Sequence, residues 1–111
     1  MKASLGYDHP FLIAGDLTKP FIMLTSEDKI LSLDVSSDYP AFQLYTANYV
    51  NHGDNTITAR DDGKVYKDQC AVCIEPEFYP DCPHLQQFAD VNPMVTPEKQ
   101  LQKTIIYKFS N

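Results

Sequence analysis

The sequence predicts a mainly β fold. Its 111 residues include eight prolines, seven tyrosines and six phenylalanines, and the Val, Ile and Thr residues gather in short runs rather than in alanine-rich stretches. Polar, Pro-containing or Gly-containing turns separate these runs. A chain of this length buries one small core, so we expect residues 1–111 to form a single domain.

The first half of the chain predicts four strands. Leu31, Leu33 and Val35 alternate with polar residues, which is the period-two pattern of a half-buried strand. A similar alternation places Gln43 and Tyr45 on the opposite side of their strand from the apolar residues. We place these strands at residues 11–14, 20–25, 29–36 and 41–48, with the second and third joined into a hairpin by the turn at 26–28.

The second half predicts two further strands, at residues 70–77 and 102–110. Residues 51–68 are rich in Asn, Asp, Gly and Lys, so we expect an exposed excursion with a minor strand at 56–58. Three prolines keep residues 80–93 irregular, with at most a helical turn at 85–88.

Charge and hydropathy limit the partners of the chain. The formal net charge is −6 and the nine Lys and Arg residues are scattered, so a nucleic-acid backbone would be repelled rather than bound. No apolar run reaches the length of a membrane span, and polar residues interrupt the start before a signal peptide could form. We expect no nucleic-acid partner, no membrane partner and a cytoplasmic location.

Two glutamates are the first candidates for chemistry. On a strand, Glu75 and Glu77 point to the same face about 7 Å apart. Mutual repulsion and partial burial would raise the pKa of at least one of them, which suits a general acid or base near neutral pH. Alternatively, the strand lies at a sheet edge and the two charges only oppose aggregation. A glycosidase acid pair also fits this spacing, but such acids flank the scissile bond from opposite sides.

Two other segments could bind a polar ligand. Gln43 lies on the polar side of its strand, and its amide offers a donor and an acceptor that match a sugar hydroxyl. Asp8 and His9 stand directly before an apolar run, where an aspartate more often caps a turn than builds a site. Both interpretations stay open on residue types alone.

The three cysteines raise the question of a zinc site. Cys70, Cys73, Cys82 and His84 would make a tetrahedral ligand set. An offset of three along a strand sends the first two sulfurs to opposite faces, and no glycine allows a tight knuckle between them. We therefore expect small buried thiols, no metal and no cofactor.

Four segments, taken in order, resemble the C-terminal part of an aldose 1-epimerase, also called galactose mutarotase. They are GYDHPF at 6–11, DYPAFQLYTAN at 38–48, CIEPEFYPD at 73–81 and TIIYKF at 104–109. The resemblance implies an antiparallel β-sandwich of the galactose mutarotase type, of which this chain is the last third. It also implies a concave sheet face that holds a free sugar.

The resemblance assigns roles to three residues. Glu75 matches the catalytic base that takes a proton from the anomeric hydroxyl, while Asp8 and Gln43 match the residues that hold sugar hydroxyls. The implied function is isomerisation of the α and β anomers of a free aldose by ring opening. Glu77 departs from the family, which commonly has glutamine there.

The family's sugar-facing histidines come from segments earlier than this chain, and His9, His52 and His84 do not match them. The implied alternatives are therefore an isomerase that is inactive alone, a non-catalytic carbohydrate-binding module, or a truncated remnant. A third of a sandwich also leaves sheet edges and an apolar face uncovered. We therefore expect a homodimer or a complementing chain.

Overall fold

The computed structural model describes residues 5–50, 63, 65–91 and 93–111. Within these ranges there are strands and two single-turn 3₁₀ helices, but no α-helix. The strands are β1 (Asp8–Leu12), β2 (Ile22–Thr25), β3 (Ser32–Ser37), β4 (Ala41–Tyr45), β5 (Cys73–Glu77) and β6 (Ile105–Ser110), and the 3₁₀ helices are Cys82–His84 and Gln86–Phe88.

The strands form two antiparallel three-stranded sheets, with the orders β1-β4-β5 and β2-β3-β6. The predicted all-β class is confirmed, and two such sheets are what a β-sandwich requires. In the part of the chain that the structure describes, no helix is long and apolar enough to cross a bilayer.

The predicted hairpin is confirmed as β2 and β3. Ile22 is opposite Val35 and Leu24 is opposite Leu33, so the apolar side chains of the two strands share one face. In the turn, the Ser26 amide donates to the Leu31 carbonyl at 2.8 Å.

Strand β6 extends the same face at the sheet edge. Phe109 is opposite Leu33 and Tyr107 is opposite Val35. Val35 is completely buried, whereas Tyr107 is 49% exposed and Phe109 is 64% exposed. The apolar face of the hairpin therefore continues onto a strand whose side chains meet solvent.

Hydrogen bonds tie the start of β6 to the end of β3. The Ser37 hydroxyl donates to the Thr104 carbonyl at 3.1 Å, and the Thr104 amide donates to the Asp38 carboxylate at 2.8 Å. The Lys103 ammonium lies 5.5 Å from the ring centre of Tyr39. These partners explain why Ser37, the last residue of β3, is buried although it is polar.

The chain divides into two compact units, one with residues 1–9 and 43–75 and the other with residues 10–42 and 76–111. In the second unit, Phe42 packs against Phe11 and Phe21, with ring centres 5.4 Å and 4.6 Å apart. In the first unit, Ala47 and Asn48 are the buried residues that the structure describes.

Most strands differ from the prediction at one end or both, and three of these differences concern the residues of the candidate site and the cysteines. β1 begins at Asp8 rather than at residue 11, so Asp8 is a strand residue and not a turn cap. β4 ends at Tyr45, because Ala47 has a left-handed backbone with φ of 50°. β5 begins at Cys73 after a turn in which Gln69 has φ of 63°.

The predicted helical turn is confirmed as the 3₁₀ helix Gln86–Phe88. The minor strand predicted at 56–58 lies outside the described residues. The described end of the polar excursion, residues 65–68, is exposed as expected.

Candidate functional site

Asp8 and Gln43 lie together on neighbouring strands. The Gln43 side-chain amide donates to an Asp8 carboxylate oxygen at 2.7 Å, from β4 to β1. This bond uses one amide hydrogen, so the Gln43 carbonyl and the other Asp8 lone pairs can still meet a ligand. Asp8 is exposed and Gln43 is half-buried. The pair is a compact array of donors and acceptors of the kind that binds hydroxyl groups.

The main chain just before Asp8 is held by two polar side chains. The Tyr7 amide donates to the Thr46 hydroxyl at 2.9 Å, and the Tyr7 carbonyl accepts from the Asn48 side-chain amide at 2.7 Å. The Thr46 hydroxyl in turn donates to Asn48 Oδ1 at 2.8 Å. We call Thr46 and Asn48 the Tyr7 clamp.

Glu75 is on β5, the third strand of the same sheet, next to the strand that carries Gln43. Its side chain is exposed, whereas Glu77 is half-buried. Partial burial of at least one of the two glutamates is therefore found at Glu77, and β5 is an edge strand of this sheet within the described residues, as the alternative interpretation expected. An exposed carboxylate at an edge can still reach a bound ligand.

The remaining polar candidates make local contacts. The Tyr45 hydroxyl accepts from the Tyr49 amide at 3.2 Å, and His9 Nδ1 accepts from the Asp8 amide at 3.0 Å. His84 contacts the Asp81 carboxylate, and its side chain is 80% exposed. His52 lies outside the described residues. None of these hydrogen bonds involves the Asp8 carboxylate or the Gln43 side chain.

The three cysteines are free thiols in different environments. Cys82 is buried and Cys73 is half-buried, but Cys70 is exposed, so the expectation of buried thiols is wrong for Cys70. The reason is that β5 begins only at Cys73, which leaves Cys70 in the preceding turn. Among residues 5–50, 63, 65–91 and 93–111, no three His, Cys, Asp or Glu side chains are grouped to hold a metal ion.

Sequence reasoning missed the Tyr7 clamp. Thr46 and Asn48 fall in one of the segments that carry the resemblance, but nothing in their residue types singles out a partner 39 or 41 positions earlier in the chain. One available signal is Gly6, where any Cβ would collide with the side chains of Thr46 and Asn48. A glycine two residues before the first strand residue allows a close approach of this kind.

The family model described as aldose 1-epimerase matches residues 1–108. The chain belongs to the aldose 1-epimerase family, which confirms the resemblance read from the four segments.

Relatives in three organisms agree with this assignment. An aldose 1-epimerase of Haemophilus influenzae is 35% identical over 83 residues, which is 75% of this chain and 23% of that protein. An aldose 1-epimerase of Escherichia coli is 29% identical over 94% of this chain and 29% of its own length. The galactose mutarotase of Mus musculus is 28% identical over 95% of this chain and 29% of its own length. The chain therefore spans less than a third of these relatives.

Proposed function

We propose that this chain supplies the hydroxyl-binding residues and the catalytic base of an aldose 1-epimerase site. The observation that carries the proposal is the Asp8–Gln43 hydrogen bond, which joins the two residues that the family resemblance assigns to sugar hydroxyls. Glu75 lies on the adjoining strand of the same sheet and is open to solvent, as a base that must reach a ligand needs to be.

In the proposed reaction, Glu75 takes the proton of the anomeric hydroxyl. The bond between the anomeric carbon and the ring oxygen breaks, and the ring oxygen gains a proton from an acid, which gives the open-chain aldehyde. Rotation and reclosure on the other face of the carbonyl produce the second anomer and return both protons. A positioned base contributes about 10²- to 10⁴-fold to the rate of such a step.

We assign the proton donor to no residue of this chain. His9 and His84 have the local contacts described above and lie outside the Asp8–Gln43 pair. In this proposal the acid comes from a further segment of the protein or from a complementing chain. With water in place of that acid, the chain by itself exchanges anomers slowly through Glu75, and full activity depends on that second component.

A non-catalytic carbohydrate-binding module is the second candidate function. The Asp8–Gln43 pair can hold hydroxyl groups without any acid, and this favours binding over turnover in the chain by itself. The two candidates differ in whether anomer exchange accompanies sugar binding.

The test is anomer exchange of galactose and glucose, measured by NMR saturation transfer with the purified chain, alongside sugar binding measured by saturation-transfer difference. We expect Glu75→Gln to bring exchange down to the buffer rate while binding stays within about twofold, because this change removes only the base. Glu27→Gln is the matched control, since Glu27 is an exposed glutamate in the hairpin turn.

Binding without exchange in the unmodified chain would favour the binding module. Neither binding nor exchange with either sugar would overturn both candidates. Exchange that survives Glu75→Gln would remove the base assignment and leave the family membership intact.

We also propose that the chain associates with a second copy or with a complementing chain. Tyr107 and Phe109 are 49% and 64% exposed on a face that continues the buried face of β3, and β6 is an edge strand within the described residues. Apolar edges of this kind tend to pair with another strand.

A further inference from the structure

We propose that Asn48 is a positioning residue, which acts with Thr46 to hold the main chain of Tyr7 so that the Asp8 carboxylate meets Gln43. The sugar-binding part of this inference rests on the proposed function, whereas the geometric part does not. The Asn48 side chain bonds to the Tyr7 carbonyl and the Thr46 hydroxyl, so in this proposal it acts through the backbone.

The Tyr7 clamp satisfies every main-chain polar group of Tyr7. The carbonyl accepts from the Asn48 amide at 2.7 Å and from the Thr46 backbone amide at 3.1 Å, so both of its lone pairs are used. The Tyr7 backbone amide donates to the Thr46 hydroxyl at 2.9 Å. Four hydrogen bonds, counting the link from the Thr46 hydroxyl to Asn48 Oδ1, thus hold the main chain on both sides of the Tyr7 Cα.

Burial makes this arrangement specific. Asn48 is 3% exposed, and a buried amide is costly unless its donor and acceptor are both bonded. The left-handed turn at Ala47, whose carbonyl accepts from the Gln69 amide at 2.8 Å, brings Asn48 back toward Tyr7. Gly6 completes the fit, because a Cβ there would collide with both clamp side chains.

The clamped Tyr7 carbonyl belongs to the same peptide group as the Asp8 amide. The 2.7 Å bond between Gln43 and Asp8 has little tolerance, because a displacement of about 1 Å lengthens it beyond hydrogen-bond distance. A misplacement of that size at a binding or reacting group can cost about a hundredfold. The clamp therefore sets the hydroxyl-binding geometry, and not only the stability of the loop.

The test compares Asn48→Ala with Val35→Ala in the full chain. Val35 is completely buried in the other compact unit, so Val35→Ala lowers stability without touching the clamp. The readouts are the side-chain amide resonances of Gln43 by ¹H–¹⁵N NMR and the Kd for galactose. We expect Asn48→Ala to shift the Gln43 resonances and to weaken galactose binding about tenfold or more. We expect Val35→Ala to leave the Gln43 resonances in place and the Kd for galactose within about twofold of that of the unmodified chain.

A second pair of variants covers the case in which Asn48→Ala does not fold. Thr46→Val removes the hydroxyl at nearly constant volume and should shift the Gln43 resonances in the same direction. Thr46→Ser keeps the hydroxyl and should restore them.

Unchanged Gln43 resonances in a folded Asn48→Ala or Thr46→Val variant would overturn the inference and leave the clamp a purely structural feature. If the unmodified chain binds neither galactose nor glucose, the proposed function fails. The Gln43 resonances still decide whether the clamp positions the pair.

Discussion

Asp28 illustrates at the scale of one residue how a turn is stabilised. The Ser26 hydroxyl donates to its carboxylate at 2.5 Å and the Ile30 amide donates at 3.0 Å. These bonds, the Ser26 bond first, hold the pKa of Asp28 below its usual range. A depressed carboxyl pKa stabilises the folded chain above the unfolded pKa, and this contribution is lost as pH falls through the folded pKa.

We expect Ser26→Ala to raise the pKa of Asp28 toward its usual range, because the stronger of the two bonds is lost. A pH titration followed by ¹³C NMR of the carboxyl carbons measures this. Asp16 is the internal control, since its pKa is lowered mainly by the Thr18 hydroxyl and should not move. Equal titration of Asp28 in both proteins would show that the Ser26 hydroxyl does not lower the pKa of Asp28.

At the scale of the element, the strands that periodicity could reveal were predicted best. Leu33 and Val35 alternate with polar residues, and both the hairpin and its apolar face follow from that pattern. The early start of β1 was missed, because it depends on the pairing of Tyr7 with Thr46, which local sequence does not encode. Of the candidate site, the family resemblance indicated Asp8 and Gln43, but only the structure brings them into contact.

Val35 makes the largest apolar contribution that we can assign to β3. Val35→Ala removes two buried methyl groups and should lower the free energy of unfolding by about 2 to 3 kcal/mol, from lost transfer energy and the cavity left behind. Urea denaturation measures the loss. The same change at Val95, which is 58% exposed, should cost less than about 0.5 kcal/mol. Equal losses at both positions would show that Val35 is not part of a packed core.

At the scale of the whole molecule, the exposed face of β6 predicts association. Phe109→Lys places a charge on the apolar face at the sheet edge and should shift the protein toward monomer, as measured by light scattering at micromolar concentration. Leu12→Lys is the control, because Leu12 is 73% exposed but lies on β1, in the other sheet. A monodisperse monomer of the unmodified chain would contradict the proposed association.

The bonds between the end of β3 and the start of β6 also have a kinetic consequence. Ser37 and Thr104 are 67 positions apart, whereas the hydroxyls of Thr25 and Ser32 meet across the hairpin only seven positions apart. Closing the longer loop costs more chain entropy, and contacts of high sequence separation form slowly. The hairpin should therefore assemble first, and the outer edge of β3 stays unpaired until β6 docks. The sequence separations of these two serine–threonine contacts, 67 and seven positions, therefore predict the order in which the strands of this sheet pair.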